Sequence, residues 1–207
     1  MKTSWQVATA AEAFAAAQFA RCGWDVSVQY GANQPEYDLV AVDGERVLKV
    51  SVKGSKDGRW GLTQSFIENA DYHGAAEKWF SKHSNKTVFC LVQFKGTSVE
   101  MLPRMYLATP REIADWLKNA TAGRGDTILY EKHVWSPKGY AAGTTDVIPE
   151  SWKFTERRLE ETAKTTEQAA TGCAIIGAPV TFALGLWNYK LKEIQKIDLS
   201  QYCNTIL

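Results

Sequence analysis

The chain has 207 residues, with 24 Lys and Arg residues against 23 Asp and Glu residues, and its formal net charge is +1. This length suits one domain, or one domain with an appendage. Hydrophobic residues make up 45% and charged residues 23% of the chain, a composition that excludes a disordered protein. The even charge balance excludes histone-like or polybasic-tail binding of nucleic acid, and it leaves room for a local basic cleft.

The cysteines indicate a cellular compartment. Cys22, Cys90, Cys173 and Cys203 are far apart in the sequence and form no CxxC pair. This spacing argues against a zinc site and against a disulfide framework. We therefore expect a protein of the reducing cytoplasm.

An uncharged stretch at residues 169–187 approaches the roughly 20 residues that span a bilayer. Pro179 and several glycines interrupt it, and proline breaks or kinks a helix. We favour a buried C-terminal element or an oligomer contact over a membrane anchor.

The first predicted element is a helix over residues 9–21. Thr9 followed three residues later by Glu12 has the form of a capping box, and the alanine-rich sequence has high helix propensity. Gly23 ends this helix. Residues 24–29 then alternate as a short strand.

A hairpin follows, with a strand over residues 37–42, an Asp43-Gly44 turn and a return strand over residues 46–53. This turn predicts that Asp38 lies opposite Lys49. The later predicted elements are a Gly-rich loop at 54–61, a helix at 75–83, strands at 87–94 and 105–108, a helix at 109–119, a strand at 127–134, an irregular segment at 136–149 and a charged helix at 155–170. Interleaved helices and strands with a tight hairpin predict an α/β fold whose mixed central sheet is flanked by helices, with a C-terminal helical tail.

One face of the predicted hairpin is polar. Side chains alternate faces along a strand, so Lys49, Ser51 and Lys53 share the face of Asp38, while the apolar residues between them face the core. The solvent face of an amphipathic hairpin is one explanation. However, Asp38 interrupts an apolar strand, where aspartate has poor propensity. Glu12 lies on an alanine-rich helix face, although a role in capping alone also explains it.

The helix AEAFAAAQFARCGWDV and the hairpin YDLVAVDGERVLKVSVKGS together resemble the PD-(D/E)XK nuclease superfamily. The resemblance is greatest to its Holliday-junction-resolvase-like and restriction-endonuclease-like members, and it covers about residues 8–95. It implies a restriction-endonuclease-like fold, with Asp38 as the first metal ligand, Lys53 as the catalytic lysine and Glu12 as the helix acid. Members of this family carry an acid two residues before the lysine, where this chain has Ser51.

The resemblance also implies a cofactor, Mg²⁺ or Mn²⁺. Its ligands would be Glu12, Asp38 and the backbone carbonyl of Val52, completed by water and phosphate oxygens. Ser51 completes the implied catalytic set, although its neutral hydroxyl is a weaker ligand than a carboxylate. Lys53 would orient the attacking water or stabilise charge on the phosphate.

DNA is the implied partner. The segment after the catalytic lysine is basic and Gly-rich, which suits contact with a phosphate backbone, and an ordinary solvated turn is the alternative. The predicted nucleic-acid contacts are Lys49, Ser55, Lys56, Arg59 and Gln64.

Three functions stay open from the sequence. One is an Mg²⁺-dependent endonuclease that hydrolyses DNA phosphodiesters in defence, recombination or repair. The second is a catalytically inactive domain of the same fold that binds nucleic acid or a protein. The third is a membrane-tethered accessory protein anchored by residues 169–187. A nuclease-like domain is predicted at residues 1–150 and a helical, apolar extension at residues 151–207. Resolvase-like activity favours a homodimer, because two strands are cut.

Overall fold

The computed structural model describes residues 3–29, 36–84 and 86–172. Met1–Gly172 form one compact unit and Cys173–Leu207 a second, and the described residues belong to the first. Within these ranges, no helix has the length and apolar content needed to cross a bilayer. The side chains of the uncharged stretch at 169–187 lie outside the described part of the chain.

Helices and strands are interleaved along the described residues. The helices are α1 Ser4–Arg21, α2 Tyr72–Phe80, α3 Pro110–Asn119 and α4 Glu156–Gly172. The strands are β1 Asp25–Val28, β2 Leu39–Asp43, β3 Arg46–Ser55, β4 Arg59–Gly61, β5 Thr87–Gln93, β6 Arg104–Ala108, β7 Ile128–Tyr130, β8 Lys132–Val134 and β9 Thr145–Val147. Short 3₁₀ helices cover Gln64–Phe66 and Glu150–Trp152.

The central sheet has five strands in the order β1-β2-β3-β5-β6. Of the four neighbouring strand pairs in this sheet, β3–β5 is parallel and the other three are antiparallel. The connection between β3 and β5 runs through β4 and α2, as a parallel pair requires a long crossover. The predicted α/β class with a mixed sheet is confirmed. β4 pairs with β7 and β8 with β9 in two small sheets.

Apolar clusters cover both faces of the central sheet. One cluster joins α1 and α4 to the sheet, with Phe19, Leu39, Val50 and Leu159 among its buried members. The other joins α2 and α3 to the opposite face, with Trp79, Leu91 and Ile113 among its members. β5 is buried along its whole length, as its nearly continuous apolar run predicts.

Helix α1 begins earlier than predicted. Thr3 is its N-cap, and a capping box joins Thr3 to Gln6. The predicted capping box of Thr9 and Glu12 is therefore wrong, because the alanine-rich sequence lets the helix extend to the earlier cap. Glu12 lies in the middle of α1, where capping does not account for its carboxylate.

The hairpin turn is shifted by one residue from its predicted position. Asp43 pairs with Arg46, so the two turn residues are Gly44 and Glu45. Gly44 has a φ of +60° at the first turn position, as a type II′ turn requires. The predicted pairing of Asp38 with Lys49 is wrong, since Lys49 pairs with Val40. This register, continued by one pair beyond Leu39, places Asp38 level with Ser51. The polar side chains keep the predicted face.

Several other predicted elements differ from the observed ones. The helix predicted at 75–83 is α2, Tyr72–Phe80. The strand predicted at 127–134 is two strands, since β7 pairs with β4 whereas β8 pairs with β9. The irregular segment predicted at 136–149 contains β9. The loop predicted at 54–61 is shorter, because β3 continues to Ser55 and β4 follows. Alternation along a strand does not reveal which partner it pairs with.

Helix α4 belongs to the core of the first unit. Leu159 and Ala163 are buried in the cluster shared with α1. The Arg158 guanidinium donates to both carboxylate oxygens of Glu112 on α3, at 2.8 and 2.7 Å, and to the Leu107 carbonyl at 3.1 Å. The predicted domain boundary at residue 150 thus falls inside this compact unit.

We expect a chain ended at residue 150 to lose cooperative folding, and a chain ended at residue 172 to retain it. The shorter chain loses the buried face of α4 and the ion pair between Arg158 and Glu112. In the full chain, Leu159→Ala should cost about 2–5 kcal/mol, the usual cost of a large-to-small change in a core. Urea unfolding followed by circular dichroism measures both effects. Equal midpoints for the two truncated chains would place α4 outside the domain.

Candidate functional site

The candidate site forms where α1 crosses the end of β3. Gly54 permits the approach, because an added Cβ would lie 2.8 Å from the Val7 carbonyl oxygen and 2.9 Å from the Ala11 Cβ. These separations are shorter than van der Waals contact, so a larger residue must push the helix away. The close packing brings Ala8 and Glu12 over the last residues of the strand.

Asp38 lies immediately before β2 and continues its pairing with β3. Asp38 Oδ2 accepts the Val52 N–H at 2.6 Å, and the Asp38 N–H donates to the Val50 carbonyl at 2.8 Å. The Lys49 N–H donates to Lys86 at 3.1 Å, on the β5 side of the strand. Because the N–H and C=O of one strand residue point to the same side, the Val52 carbonyl points toward Asp38.

A cleft of about 330 Å³ opens beside these groups. Its lining consists of Ala8, Glu12, Asp38, Val52, Lys53, Gly54, Arg59, Trp60, Gly61 and Leu62. The Trp60 indole donates to the Lys53 carbonyl at 2.8 Å, and Trp60 is only 2% exposed, so β4 is fixed against β3. The structure thus brings Glu12, Asp38, Val52 and Lys53 to one cleft.

The charges of the cleft interact. Partial burial raises the pKa of the Glu12 carboxyl above its ordinary value of 4.5, and the negative charge of Asp38 raises it further. The positive charge of Lys53 acts in the opposite direction. A cation bound between the two carboxylates would favour their ionised forms.

The donor set fits a hard divalent cation. Glu12, Asp38 and the Val52 carbonyl offer oxygen ligands, and Mg²⁺ is commonly bound through one or two carboxylates plus water and substrate phosphate. In the described ranges, no group of three His, Cys, Asp or Glu side chains could hold a metal ion. The two carboxylates and the carbonyl of the cleft are nevertheless oxygen ligands of the type that Mg²⁺ and Mn²⁺ take.

Ser51 is buried and is not among the residues that line the cleft. Its side chain is 1% exposed, and its strand position pairs with Phe89 of β5. A carboxylate there would have to be buried, which is costly without a partner. The departure from the family pattern thus coincides with a packed position.

Three of the predicted nucleic-acid contacts lie near the cleft. Arg59 lines it and forms an ion pair with Asp57, with an Nε–Oδ2 distance of 2.7 Å. Lys56 is exposed in the same turn. The exposed Gln64 lies against Gly61 of the cleft wall. Arg59 and Gln64 therefore lie at the cleft wall, and Lys56 is close to Arg59 in sequence.

Ser55 and Lys49 lie in different environments. Ser55 is buried, and its hydroxyl accepts the Arg59 N–H at 3.1 Å while donating to Asp57 at 3.1 Å. It therefore shapes the turn. Lys49 lies on the same strand face as Lys53, and its ammonium is 5.2 Å from the centre of the Tyr37 ring.

Sequence patterns missed the β4 wall of the cleft. Trp60, Gly61 and Leu62 line the cleft, although the sequence pattern assigned this part of the chain to a loop. The available signal was the apolar pair Trp60 and Leu62 at a spacing of two residues, which is typical of a strand. The contribution of Gly54 to helix packing has no signature in a single sequence.

Comparison with protein-family models and with curated proteins finds no match to this sequence.

We expect Glu12→Gln to stabilise the metal-free protein at neutral pH. The folded-state pKa of Glu12 is raised, so the stability that its protonated form contributes is complete below the unfolded pKa of about 4.5 and is lost as the pH rises through the folded pKa. Glutamine carries no charge at any of these pH values. The gain in unfolding midpoint should therefore grow from acidic toward neutral pH.

Urea unfolding in EDTA at several pH values measures this gain. Glu45→Gln is the matched control, since Glu45 is exposed in the hairpin turn. A gain for Glu12→Gln that is equal at acidic and neutral pH would show that ionisation of this carboxyl is not the cause.

Proposed function

We propose that this protein is an Mg²⁺-dependent endonuclease that hydrolyses DNA phosphodiesters in defence, recombination or repair, with a restriction-endonuclease-like fold. The supporting observation is the meeting of Glu12 from α1, Asp38 before β2 and Lys53 from β3 in one cleft. These are the residues that the family resemblance implies, although they are distant in sequence. The exposed cation of Arg59 beside the cleft suits a phosphate backbone.

Each residue of the cleft has a separate role in the proposed reaction. Glu12, Asp38 and the Val52 carbonyl would hold Mg²⁺ or Mn²⁺. When bound, the metal polarises the phosphodiester and lowers the pKa of a bound water. Lys53 lines the same cleft and its positive charge acts on the Glu12 carboxyl, so it can stabilise charge on the phosphate in the transition state. Arg59 positions the backbone beside the scissile bond.

Asp38→Asn tests this proposal. The purified full chain should cleave linear, branched or single-stranded DNA when Mg²⁺ or Mn²⁺ is added, and EDTA should stop the reaction. Asp38→Asn should lower the rate by about 10²-fold or more, because a neutral amide replaces a metal ligand. Asp25→Asn, at an exposed position on β1, should retain the wild-type rate. No cleavage of any of these substrates by the wild type with either metal would refute the nuclease proposal.

A second candidate is a catalytically inactive domain that binds nucleic acid or a protein. The observation that favours it is the buried Ser51 where the family carries an acid. This candidate predicts that DNA binds to the wild type in EDTA with unchanged affinity after Mg²⁺ is added, and that no product forms. Product formation that depends on Mg²⁺ and Asp38 would exclude it.

A further inference from the structure

A second cleft, of about 480 Å³, lies beside the β8–β9 hairpin. Aromatic rings form one wall. The Tyr130 and His133 rings stack with their centres 4.3 Å apart, and the Trp135 ring meets His133 edge-on at 4.4 Å. His133 and Trp135 line the cleft. This wall offers a π surface to a ligand.

The Trp135 ring is held in place by hydrogen bonds. Its indole N–H donates to Asp146 Oδ2 at 2.7 Å, and the same oxygen accepts the Thr121 N–H at 3.0 Å. The negative charge of Asp146 is thus engaged in two hydrogen bonds. Holding the ring in advance reduces the entropic cost of binding a ligand against it.

Cations and an exposed tyrosine also line this cleft. Arg124 and Lys138 are exposed and line the cleft with Tyr140, which is 68% exposed. The Arg124 guanidinium carbon is 5.5 Å from the centre of the Tyr140 ring and 5.2 Å from that of Tyr72. Positive charge and stacking surface therefore occur together, a combination that binds single-stranded nucleic acid.

Neighbouring residues link the second cleft to the candidate site. Arg59 lines the first cleft and is paired in register with Tyr130 on β7. Tyr130 stacks on His133, which lines the second cleft. Arg59, Tyr130 and His133 are therefore successive neighbours between the two clefts.

We propose that the second cleft binds an unpaired stretch of DNA that extends from the candidate active site, so that the favoured substrate contains a single-stranded segment. This inference rests on the proposed function. A base would stack on Trp135 and Tyr140, and its phosphates would contact Arg124 and Lys138. Duplex DNA keeps its bases stacked inside the helix, so rings that line a cleft do not reach them.

Binding of a fluorescent oligothymidylate to the full chain in EDTA tests this inference without cleavage. Tyr140→Leu should weaken single-strand binding by about tenfold, within the range seen when a base-stacking ring is removed, whereas Tyr140→Phe should bind within about twofold of the wild type. The double variant Arg124→Ala with Lys138→Ala should weaken binding and reduce its salt dependence. Arg157→Ala, on the exposed surface of α4, should bind like the wild type.

Two results would overturn the inference. One is single-strand affinity that is unchanged in both Tyr140→Leu and the double variant. The other is a wild type that binds blunt duplex more tightly than oligothymidylate. Because binding is measured in EDTA, it is independent of cleavage. If the protein binds single strands through the second cleft and cleaves no DNA, the proposed nuclease is refuted and the single-strand site is supported. If the protein cleaves DNA and these variants keep the wild-type affinity for single strands, the nuclease is supported and the single-strand site is refuted.

Discussion

Replacing Lys53 with methionine should lower the rate of DNA cleavage by about 10²-fold or more, the scale seen when a transition-state electrostatic contact is lost. Methionine keeps much of the apolar stem and removes the charge. Lys53 lines the cleft beside Glu12 and Asp38, and its strand is buried on the opposite face. DNA affinity should change much less, because one phosphate contact among several is lost. Single-turnover cleavage and anisotropy measure the two effects.

Lys49→Met is the matched control for this change. Lys49 lies on the same face of the same strand, and its ammonium lies over the Tyr37 ring. It does not line the cleft, so its loss should leave the rate of bound DNA cleavage near that of the wild type. Equal rate losses for Lys49→Met and Lys53→Met would mean that general positive charge, not a placed ammonium, supports the reaction.

The removal of Lys53 should also affect Glu12. Its positive charge lowers the pKa of the Glu12 carboxyl, against the effects of burial and Asp38. In Lys53→Met, the pKa of Glu12 should therefore rise further. The acidic limb of any remaining cleavage activity should move to higher pH, because a protonated Glu12 cannot bind a metal.

Local signals predicted several elements well. Thr109, Pro110 and Glu112 predict the start of α3. The structure shows the capping box of Thr109 and Glu112, with Pro110 as the first residue of the helix. These signals act within a few residues of one another, so the sequence alone contains them. β5 was predictable for a similar reason, since a strand buried on both faces must be apolar throughout.

Competing local signals explain the wrong boundaries. Thr3 with Gln6 and Thr9 with Glu12 both have the spacing of a capping box, and the alanine-rich sequence selects the earlier one. Gly44 can occupy either position of a two-residue turn, and the observed register uses the first. Such choices depend on the packing of the whole hairpin.

The sequence predicted the charged residues of the candidate site, but it did not predict the β4 residues that line the cleft beside them. Alternation along the two hairpin strands, together with their pairing, places Lys53 and Asp38 on one face. The meeting of these residues with Glu12 depends on how closely α1 approaches β3, which is a tertiary contact. The β4 wall with Trp60 depends on pairing between β4 and β7, strands that are distant in sequence.

The closeness of α1 and β3 leads to the expectation that Gly54→Ala will impair catalysis more than it impairs stability. The new methyl group would meet the Val7 carbonyl and the Ala11 Cβ at less than van der Waals distance, and neither can rotate away. The helix must shift outward, at a cost of about 1–3 kcal/mol, as for other overpacked sites. Because Glu12 is carried by the helix, its carboxylate would move away from Asp38. A displacement of this kind can cost about 10²-fold in rate.

Leu159→Ala separates positioning from stability. This change removes a buried side chain on α4 in the same apolar cluster and leaves the contact of α1 with β3 unaltered. Its loss of stability should equal or exceed that of Gly54→Ala. Well below both melting temperatures, Leu159→Ala should cleave DNA at the wild-type rate. Gly54→Ala should bind Mg²⁺ more weakly, and its rate should be lowered by about 10²-fold. Comparable rates in the two variants would mean that the approach of α1 to Gly54 stabilises the fold without positioning Glu12 for catalysis.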